Sequence, residues 1–386
     1  MTRAMLRDLI AVALVALALL ATLAWWLRPA PPPTPVQLGL QGVMGEAPAG
    51  FRRVTEAQPL RFPDDHAAHP EYRNEWWYFT GNLTDHQGRD FGYQFTLFRF
   101  ALAAPETDRH ASSSDWASDS LWMGHLALSD AGTPTAAPQF HQAERFARGA
   151  LGLAGASVDH WWLRDWRVDA TDQGWTLQAQ ADGFGLTLNL EALKPIVLQG
   201  DRGYSRKGPE AGNASRYYSI TRLHTHGQMQ IDGQRFAVTG LSWLDREWGS
   251  GQLSESQSGW DWFAIHLNDG RDLMVYQLRD LDGQPSAFSA GMLVASDGIG
   301  QTLTGEDFSL TPMRHWTDQA GVRWPVDWHL SVPAHGLDLH TRARFDDQRW
   351  WGSVPYWEGM IEVLDATSTQ PLGHGYLELS GYATAP

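Results

Sequence analysis

The chain has 386 residues, of which 43% are hydrophobic and 19% charged, and its formal net charge is −15 at pH 7. This composition excludes a disordered chain, and the acidic excess argues against nucleic acid as a partner, because nucleic-acid binding relies on Lys and Arg. The absence of cysteine excludes disulfides, thiolate nucleophiles and zinc–thiolate sites. Twenty tryptophans and 38 glycines, with few long helical patterns, favour β structure.

An uncharged apolar run extends from Leu9 to Leu27 and follows Arg3 and Arg7. About 20 apolar residues span a bilayer, whereas the core of a cleaved signal is usually shorter. We therefore predict an uncleaved signal anchor that holds the body on the periplasmic side of the inner membrane. A cleaved signal, which would release the body into the periplasm, is the alternative. Together with the Pro-rich spacer that follows, the predicted anchor region is 1–35.

Strand-type residues with period-2 alternation dominate the body from about residue 60 and predict an all-β fold. The dipeptide Asp232-Gly233 predicts a two-residue hairpin. Residues 103–120 predict a long surface loop, and 143–151 fit either a short helix or a loop. The predicted strands are 76–83, 91–100, 121–128, 161–169, 174–180, 184–190, 217–224, 227–231 and 235–239.

One hairpin occurs twice in the sequence. Gly88-Arg89-Asp90 followed by FGYQFTLFR recurs as Gly270-Arg271-Asp272 followed by LMVYQLR. The preceding strands are also alike, because Trp76-Trp77-Tyr78-Phe79 resembles Trp260-Asp261-Trp262-Phe263, with a second turn that is two residues shorter. A single copy about 184 positions away does not fit a propeller or solenoid, whose periods are short and many.

The repeat predicts two related antiparallel β-barrel domains, 36–250 and 251–386, joined at a Gly/Ser-rich connection. Small closed barrels remove sheet edges and can hold one apolar ligand in the interior or the mouth.

A first candidate for chemistry is Glu75, which directly precedes the aromatic strand that begins at Trp76 and includes Tyr78. An acid placed among aromatic side chains would have a raised pKa, which suits a general acid. The alternative is an ion pair between Glu75 and an arginine, such as Arg73, at the end of the barrel.

A second candidate is the segment in which Trp243, Asp245 and Glu247 alternate. In a strand these three side chains share one face, with the carboxylates about 7 Å apart. Close carboxylates push their pKa values apart, so one can act as acid and the other as base. A structural ion pair with an arginine is equally compatible with the spacing.

Histidines give weaker indications. His266 lies on the same strand face as Trp260 and Trp262 and fits either a base or a hydrogen-bonded core residue. His125 could line a cavity or pack. His224 and His226 alternate on a strand, but zinc would need a third ligand, so a surface pair is the interpretation and no metal is predicted. The sequence has no Gly-x-Ser-x-Gly elbow, phosphate-binding loop or dinucleotide fingerprint, and no cofactor is predicted.

Several segments together resemble the AttH family, often labelled "predicted secreted hydrolase" and related to carotenoid 1,2-hydratase (CrtC) and lipocalin-like proteins. The resemblance covers about 55–385 and implies two lipocalin-like barrels. The segments that carry it are Phe62–His66, His69–Tyr78, Tyr217–Ser219 with Thr221–Leu223, Trp243–Trp248 and Gly259–Phe263.

The hydratase branch of this family implies a role for one residue. Its members have Tyr-x-Asp-x-Asn, with the aspartate as proposed proton donor, where this chain has Trp243, Asp245 and Glu247. The aspartate is kept, whereas the two flanking departures speak against carotenoid hydration itself. A general acid beside aromatic faces that stabilise a cation remains chemically reasonable.

We therefore expect a membrane-anchored or secreted protein that binds a lipid or isoprenoid and acts on it by hydratase or hydrolase chemistry. The expected general acid is Asp245, assisted by Glu247, Glu75 or His266. One alternative is a non-enzymatic lipid carrier or binding protein beside an ABC-type export system. Another is a scaffold with both barrels filled, whose inter-barrel cleft binds a protein. The expected ligand-binding residues are Trp243, Trp76, Tyr78, Tyr218, Trp260, Trp262 and His125.

Overall fold

A computed structural model describes residues 45, 47–105 and 118–383. The predicted anchor and spacer, 1–35, and residues 106–117 of the predicted surface loop lie outside this part of the chain. None of the helices within the described ranges is both long and apolar enough to span a bilayer. The described residues belong to one compact unit, so the domain boundary near residue 250 stays a prediction.

The described residues form two antiparallel β-sheets, which confirms the predicted all-β class. The strands of the first sheet are β1 (Asn74–Asp85), β2 (Asp90–Ala101), β3 (Ser120–Asp130), β4 (Gln139–Arg148), β5 (Ala154–Ala156), β6 (His160–Leu163), β7 (Trp166–Thr171), β8 (Gly174–Gln180), β9 (Phe184–Ala192), β10 (Val197–Leu198), β11 (Tyr204–Arg206), β12 (Ala214–Ile231) and β13 (Gln234–Gly249). The strands of the second sheet are β14 (Gln257–Leu267), β15 (Asp272–Asp280), β16 (Ala290–Val294), β17 (Gly300–Thr304), β18 (Ser309–Thr317), β19 (Arg323–Val332), β20 (Leu337–Ala343), β21 (Arg349–Trp350), β22 (Tyr356–Asp365) and β23 (Pro371–Ser380). Short 3-10 turns lie at Asp64–His66, Ala150–Gly152 and Pro333–His335.

The two sheets are barrel-like and share one connectivity. In the first, the strand order is β4-β3-β2-β1-β13-β12-β9-β8-β7-β6-β5, and in the second it is β17-β16-β15-β14-β23-β22-β20-β19-β18. In each sheet the first strand therefore lies in the middle, between the second strand and the last. This shared order agrees with the two lipocalin-like barrels that the repeated hairpin predicted.

The repeat differs in register from the sequence match. The two hairpin connections have equal lengths, because the last pairs before the turns, Thr84 with Asp90 and His266 with Asp272, each enclose five residues. The second turn is therefore not shorter, and Trp260 is equivalent to Tyr78 instead of Trp76. The aromatic match was out of register by two residues, a shift that leaves each side chain on the same face of its strand.

Some predicted strand limits were wrong. The segments 217–224 and 227–231 belong to the single strand β12, and 161–169 is two strands that turn at Arg164, whose φ is 58°. The segment 143–151, expected as a helix or loop, lies mostly in β4. The Asp232-Gly233 hairpin is confirmed: both residues have positive φ, and Ile231 pairs with Gln234, as a type I′ turn requires.

Alternation along β1 separates two environments. Trp77 and Phe79 are fully buried in the hydrophobic core on the inward face of the first sheet. Trp76 and Tyr78 point the other way and pack with side chains of the second sheet, such as Trp262. Large aromatic side chains also fill the inward face of the second sheet, and a cavity lies between the two sheets. Space for a ligand was expected in the interior or the mouth of a barrel.

Candidate active site

A cleft lies between the outward faces of the two sheets and has a cavity volume of about 150 Å³. Its walls are mainly aromatic and apolar, including Trp76, Phe98, Phe100, Met123, Trp260 and Trp262. Among these walls lie four acidic side chains and one lysine: Asp245, Glu247, Glu358, Glu378 and Lys207. An apolar ligand in this cleft would therefore contact several ionisable groups.

Asp245, on β13, is 3% exposed and accepts hydrogen bonds from three side chains. The donors are the Tyr217 hydroxyl on Oδ2, and the Ser219 hydroxyl at 2.5 Å and the Trp243 indole N–H at 2.7 Å on Oδ1. Burial raises the pKa of Asp245 to about 7, with a further increase from Glu247, although the three donors oppose the rise. Near neutral pH this carboxyl can therefore both donate and accept a proton.

Glu247 shares the face of Asp245, as the strand alternation predicted, and has a cation beside it. The Nζ of Lys207 lies 3.3 Å from Glu247 Oε1, and the Ser215 hydroxyl donates to the same oxygen. Burial lowers the pKa of Lys207, but Glu247 and the Tyr276 hydroxyl outweigh it and raise the net value. The lysine is therefore an ammonium group at neutral pH, 3.9 Å from the centre of the Tyr276 ring.

Two further acids come from the second sheet. The Tyr78 hydroxyl donates to Glu358 at 2.5 Å, and the Trp260 indole N–H donates to Glu378 at 2.9 Å. Burial raises the pKa of Glu378 to about 7, with contributions from Asp245 and Glu247. Burial and the charge of Glu378 raise the pKa of Glu358 well above its ordinary value. Both side chains can therefore be neutral acids at physiological pH.

His125 lines the cleft in a fixed hydrogen-bond chain. The Tyr356 hydroxyl lies 2.7 Å from Nδ1, and Glu144 lies 3.1 Å from Nε2. Burial lowers the pKa of His125, so the imidazole is neutral and its Nε2–H donates to Glu144 while Nδ1 accepts from Tyr356. Tyr356 also accepts a 2.9 Å hydrogen bond from the Gln94 amide, so His125, Tyr356 and Gln94 form one polar chain in the wall of the cleft.

Glu75 belongs to an ion-pair network outside the cleft. It is fully buried, pairs with Arg246 at 2.5 Å and also accepts from Arg99. Burial alone would raise the pKa of Glu75, but the two guanidinium groups and His69 lower it well below its ordinary value. The expectation of a raised pKa was wrong, and the alternative of an arginine pair holds, although the partners are Arg99 and Arg246.

Three other predicted residues do not line the cleft. His266 donates from Nε2 to the carbonyl of Thr221 at 2.7 Å, and burial lowers its pKa. Tyr218 faces away, where its hydroxyl lies 2.6 Å from Nδ1 of His66. Trp243 is buried behind Asp245, to which it donates. The predicted residues that do line the cleft are Trp76, Tyr78, His125, Asp245, Glu247, Trp260 and Trp262.

Tyr218 was predicted to bind the ligand, but the structure places Tyr217 in the wall of the cleft. A straight continuation of the Asp232-Gly233 hairpin would pair Tyr218 with Glu247. A register shift in β12 between Ile220 and Leu223 instead pairs Tyr217 with Glu247. Because neighbouring side chains alternate between faces, this one-residue shift exchanges the two tyrosines. The bulge therefore brings Tyr217 to the cleft.

Three residues that line the cleft were not predicted: Lys207, Glu358 and Glu378. Each glutamate is an acid within an aromatic or apolar strand, in YWEGMIEV and GYLELSG, which is the kind of signal that singled out Glu75. Lys207 is one of only two lysines in the chain, but nothing in the local sequence connects it to Glu247.

Comparison with known proteins establishes the class of this chain. The model of the AttH-like family matches residues 53–382, and the chain belongs to this family. An AttH-type protein from Nitrosomonas europaea, known from a crystal structure, has 32% sequence identity to this chain and a TM-score of 0.75. The match covers 86% of this chain and all of that one.

A more distant match shares the fold alone. Kievitone hydratase from Nectria haematococca is 15% identical, with a TM-score of 0.62, and the match covers 87% of this chain and 98% of that one. A search among curated proteins finds no significant match.

Proposed function

We propose that the chain is an acid/base enzyme of hydratase or hydrolase type that acts on an apolar ligand, a lipid or isoprenoid, held in the cleft. The observation that carries the proposal is the environment of Asp245: a buried carboxyl with a pKa of about 7 at the wall of an aromatic cleft. A general acid works best when its pKa is near the operating pH.

For hydration, Asp245 would transfer its proton to one carbon of a substrate double bond, leaving a cation on the other carbon. The faces of Trp76, Trp260 and Trp262 would stabilise that cation. A water molecule would then add to it, and the released proton would return to the Asp245 carboxylate. For hydrolysis, the same acid would protonate the oxygen of the leaving group as water attacks and the bond to that oxygen breaks, and the proton released by the water would return to the Asp245 carboxylate.

The three hydrogen-bond donors to Asp245 and its burial favour opposite protonation states of the carboxyl. The donors stabilise the carboxylate that remains after proton transfer, whereas burial favours the neutral acid before it. The chain belongs to the AttH-like family, and a protein named a hydratase shares its fold.

Location and partners belong to the same proposal. We propose that the apolar N-terminal segment holds the body at the inner membrane on the periplasmic side, where a lipid ligand could reach the cleft. If the protein is instead a carrier, an ABC-type export system is the partner that we expect.

The first test identifies the ligand. Organic extracts of the full chain, purified from its host, would be compared by mass spectrometry with those of Val354→Trp. Val354 is partly buried at the cleft in a segment without regular structure, so a larger side chain blocks the space with little effect on the sheets. Any lipid bound by the N-terminal segment would be present in equal amounts in both extracts, so a difference between them reports on the cleft. We expect a lipid or isoprenoid that only the wild type retains; equal extracts would contradict the proposal.

The second test uses that ligand as substrate. Asp245→Asn should abolish turnover and retain ligand binding, and the exposed Asp172→Asn should retain both. If Asp245→Asn turns over substrate at the wild-type rate, Asp245 is not the acid. Ligand binding without turnover in the wild type would favour the carrier.

A further inference from the structure

A group of potential metal ligands lies on the first sheet, outside the cleft. Glu191, His224 and His226 each offer one ligand atom, and these atoms all lie within 4.8 Å of one another. His224 and His226 alternate on β12, and Glu191 is the direct cross-strand partner of His224 on β9. The third ligand that the sequence could not supply therefore comes from a neighbouring strand.

The backbone fixes this arrangement. Leu223 and Thr225, which flank His224, are buried on the other face of β12, so the two imidazoles must share the outer face. Their ring centres are 5.6 Å apart. The sheet holds all three side chains on two paired strands, so little rearrangement is needed to bring them around one ion.

The hydrogen bonds of the histidines leave ring nitrogens available. The contacts of His226 with Asn189 and of His224 with Thr239 are both 3.5 Å, at the outer limit of a hydrogen bond. The Nδ1 of His226 is buried and has no hydrogen-bond partner in the part of the chain that the structure describes. The carboxylate of Glu191 lies 3.8 Å from Nδ1 of His224, close enough for both to contact one ion.

We propose that Glu191, His224 and His226 form a binding site for a divalent transition-metal ion. Two imidazoles and one carboxylate suit Zn²⁺, Ni²⁺ and Cu²⁺, whereas Mg²⁺ prefers an all-oxygen set. The ion would join β9 to β12 and leave at least one coordination position for water. None of the three residues lines the cleft, so the site is independent of the proposed catalysis.

The test is calorimetric titration of the full chain, without a polyhistidine tag and after removal of metals by a chelator, with ZnCl₂. We expect one ion per chain and no saturable binding of MgCl₂. His226→Ala should weaken Zn²⁺ binding at least tenfold. His329→Ala is the matched control, because His329 is also a surface strand histidine 2.5 Å from a carboxylate, that of Asp338.

Two further readouts separate the three-residue site from a simple histidine pair. Glu191→Gln should also weaken binding, and unchanged affinity in this variant would overturn the assignment of Glu191. Zn²⁺ should raise the Tm of the wild type and of His329→Ala, because an ion that binds only the folded state stabilises it, but not that of His226→Ala. No saturable binding by the wild type, or equal binding by His226→Ala, would overturn the proposal.

Discussion

Glu358 on β22 and Glu378 on β23 are directly opposite one another across the two strands, and both line the cleft. Like charges directly across a strand pair are destabilising, and burial adds to that cost. Burial raises the pKa of both carboxyls: to about 7 for Glu378, where Asp245 and Glu247 add to the rise, and well above the ordinary value for Glu358, where the charge of Glu378 adds to it. Together with Asp245, they make the cleft a site where carboxyl groups retain protons at neutral pH.

The same substitution should have opposite effects at two buried glutamates. Glu358→Gln replaces a neutral acid by a neutral amide that still accepts from Tyr78. At pH 7 the wild-type carboxyl, which is ionised in the unfolded chain, must take up a proton on folding and the amide need not, so the variant should be at least as stable as the wild type. Glu75→Gln leaves Arg99 and Arg246 buried without their anion and should cost about 3–5 kcal/mol. Urea denaturation at pH 7 measures both; equal losses would contradict the assigned charge states.

The pH dependence of these two variants should also differ. The pKa of Glu75 is lowered on folding, so its stabilisation is present above 4.5 and is lost as pH falls below that value. The difference between wild type and Glu75→Gln should therefore shrink in acid. The pKa of Glu358 is raised on folding, so its contribution is present below 4.5 and is lost as pH rises. Glu358→Gln should gain stability relative to wild type in alkali.

Asp245→Asn should change the pH dependence of stability in a defined window. The pKa of Asp245 is 3.8 in its unperturbed state and about 7 when folded. The stability that it contributes is complete below 3.8 and is lost as pH rises to about 7. The wild type should thus lose free energy of unfolding relative to Asp245→Asn across this window, by up to about 1.4 kcal/mol per pH unit. Denaturation at a series of pH values tests this, and Asp172→Asn should show no such trend.

Tyr217→Phe should raise the pKa of Asp245. It removes one of the three donors that stabilise the carboxylate, and a hydrogen bond to a charged group contributes about 1.5–3 kcal/mol. At about 1.4 kcal/mol per unit, the shift should be one to two pKa units. Tyr218→Phe is the control, because Tyr218 faces away and bonds His66. Titration of the ¹³C-labelled aspartate carboxyl by NMR measures the shift. Equal pKa values of Asp245 in both variants would show that the Tyr217 hydroxyl does not stabilise its carboxylate.

Asp272 joins the two sheets and should be essential to stability. It is fully buried on β15 and accepts from Lys194 and Arg222, which lie in the part of the chain that forms the first sheet, each at 2.7 Å. Asp272→Asn should destabilise the protein by about 3–5 kcal/mol. Asp269→Asn, an exposed change three residues away, should cost less than about 1 kcal/mol. Guanidinium denaturation compares them, and a loss at Asp272 no larger than at Asp269 would contradict the role of this contact.

Local alternation was sufficient to predict much of the fold and one wall of the site. It placed Trp76, Tyr78, Asp245 and Glu247 on strand faces that the structure confirms, and the Asp232-Gly233 turn fixed the hairpin between β12 and β13. These predictions depend only on neighbours in sequence or on a two-residue turn. The repeated hairpin predicted the pair of barrels, and the family resemblance agreed with it.

The remaining parts of the site depend on long-range packing. The bulge in β12 after Ile220, which exchanges Tyr217 and Tyr218, has no signature that alternation can detect. Glu358 and Glu378 lie more than a hundred residues after Asp245 along the chain, and only the packing of one sheet on the other brings the three into one cleft. The same packing explains why the cleft lies between the two sheets: each inward face is filled by its own core.

The most direct test of the central claim is infrared measurement of protonated carboxyl groups as a function of pH, in wild type and Asp245→Asn. We predict that the difference between the wild-type and Asp245→Asn spectra contains a protonated-carboxyl band that titrates with a midpoint near 7. Glu378, whose pKa is also about 7, contributes to both spectra and therefore largely cancels in their difference. If the band that this substitution removes titrates at or below about 4, as an ordinary aspartate does, Asp245 is ionised at neutral pH and cannot be the proton donor.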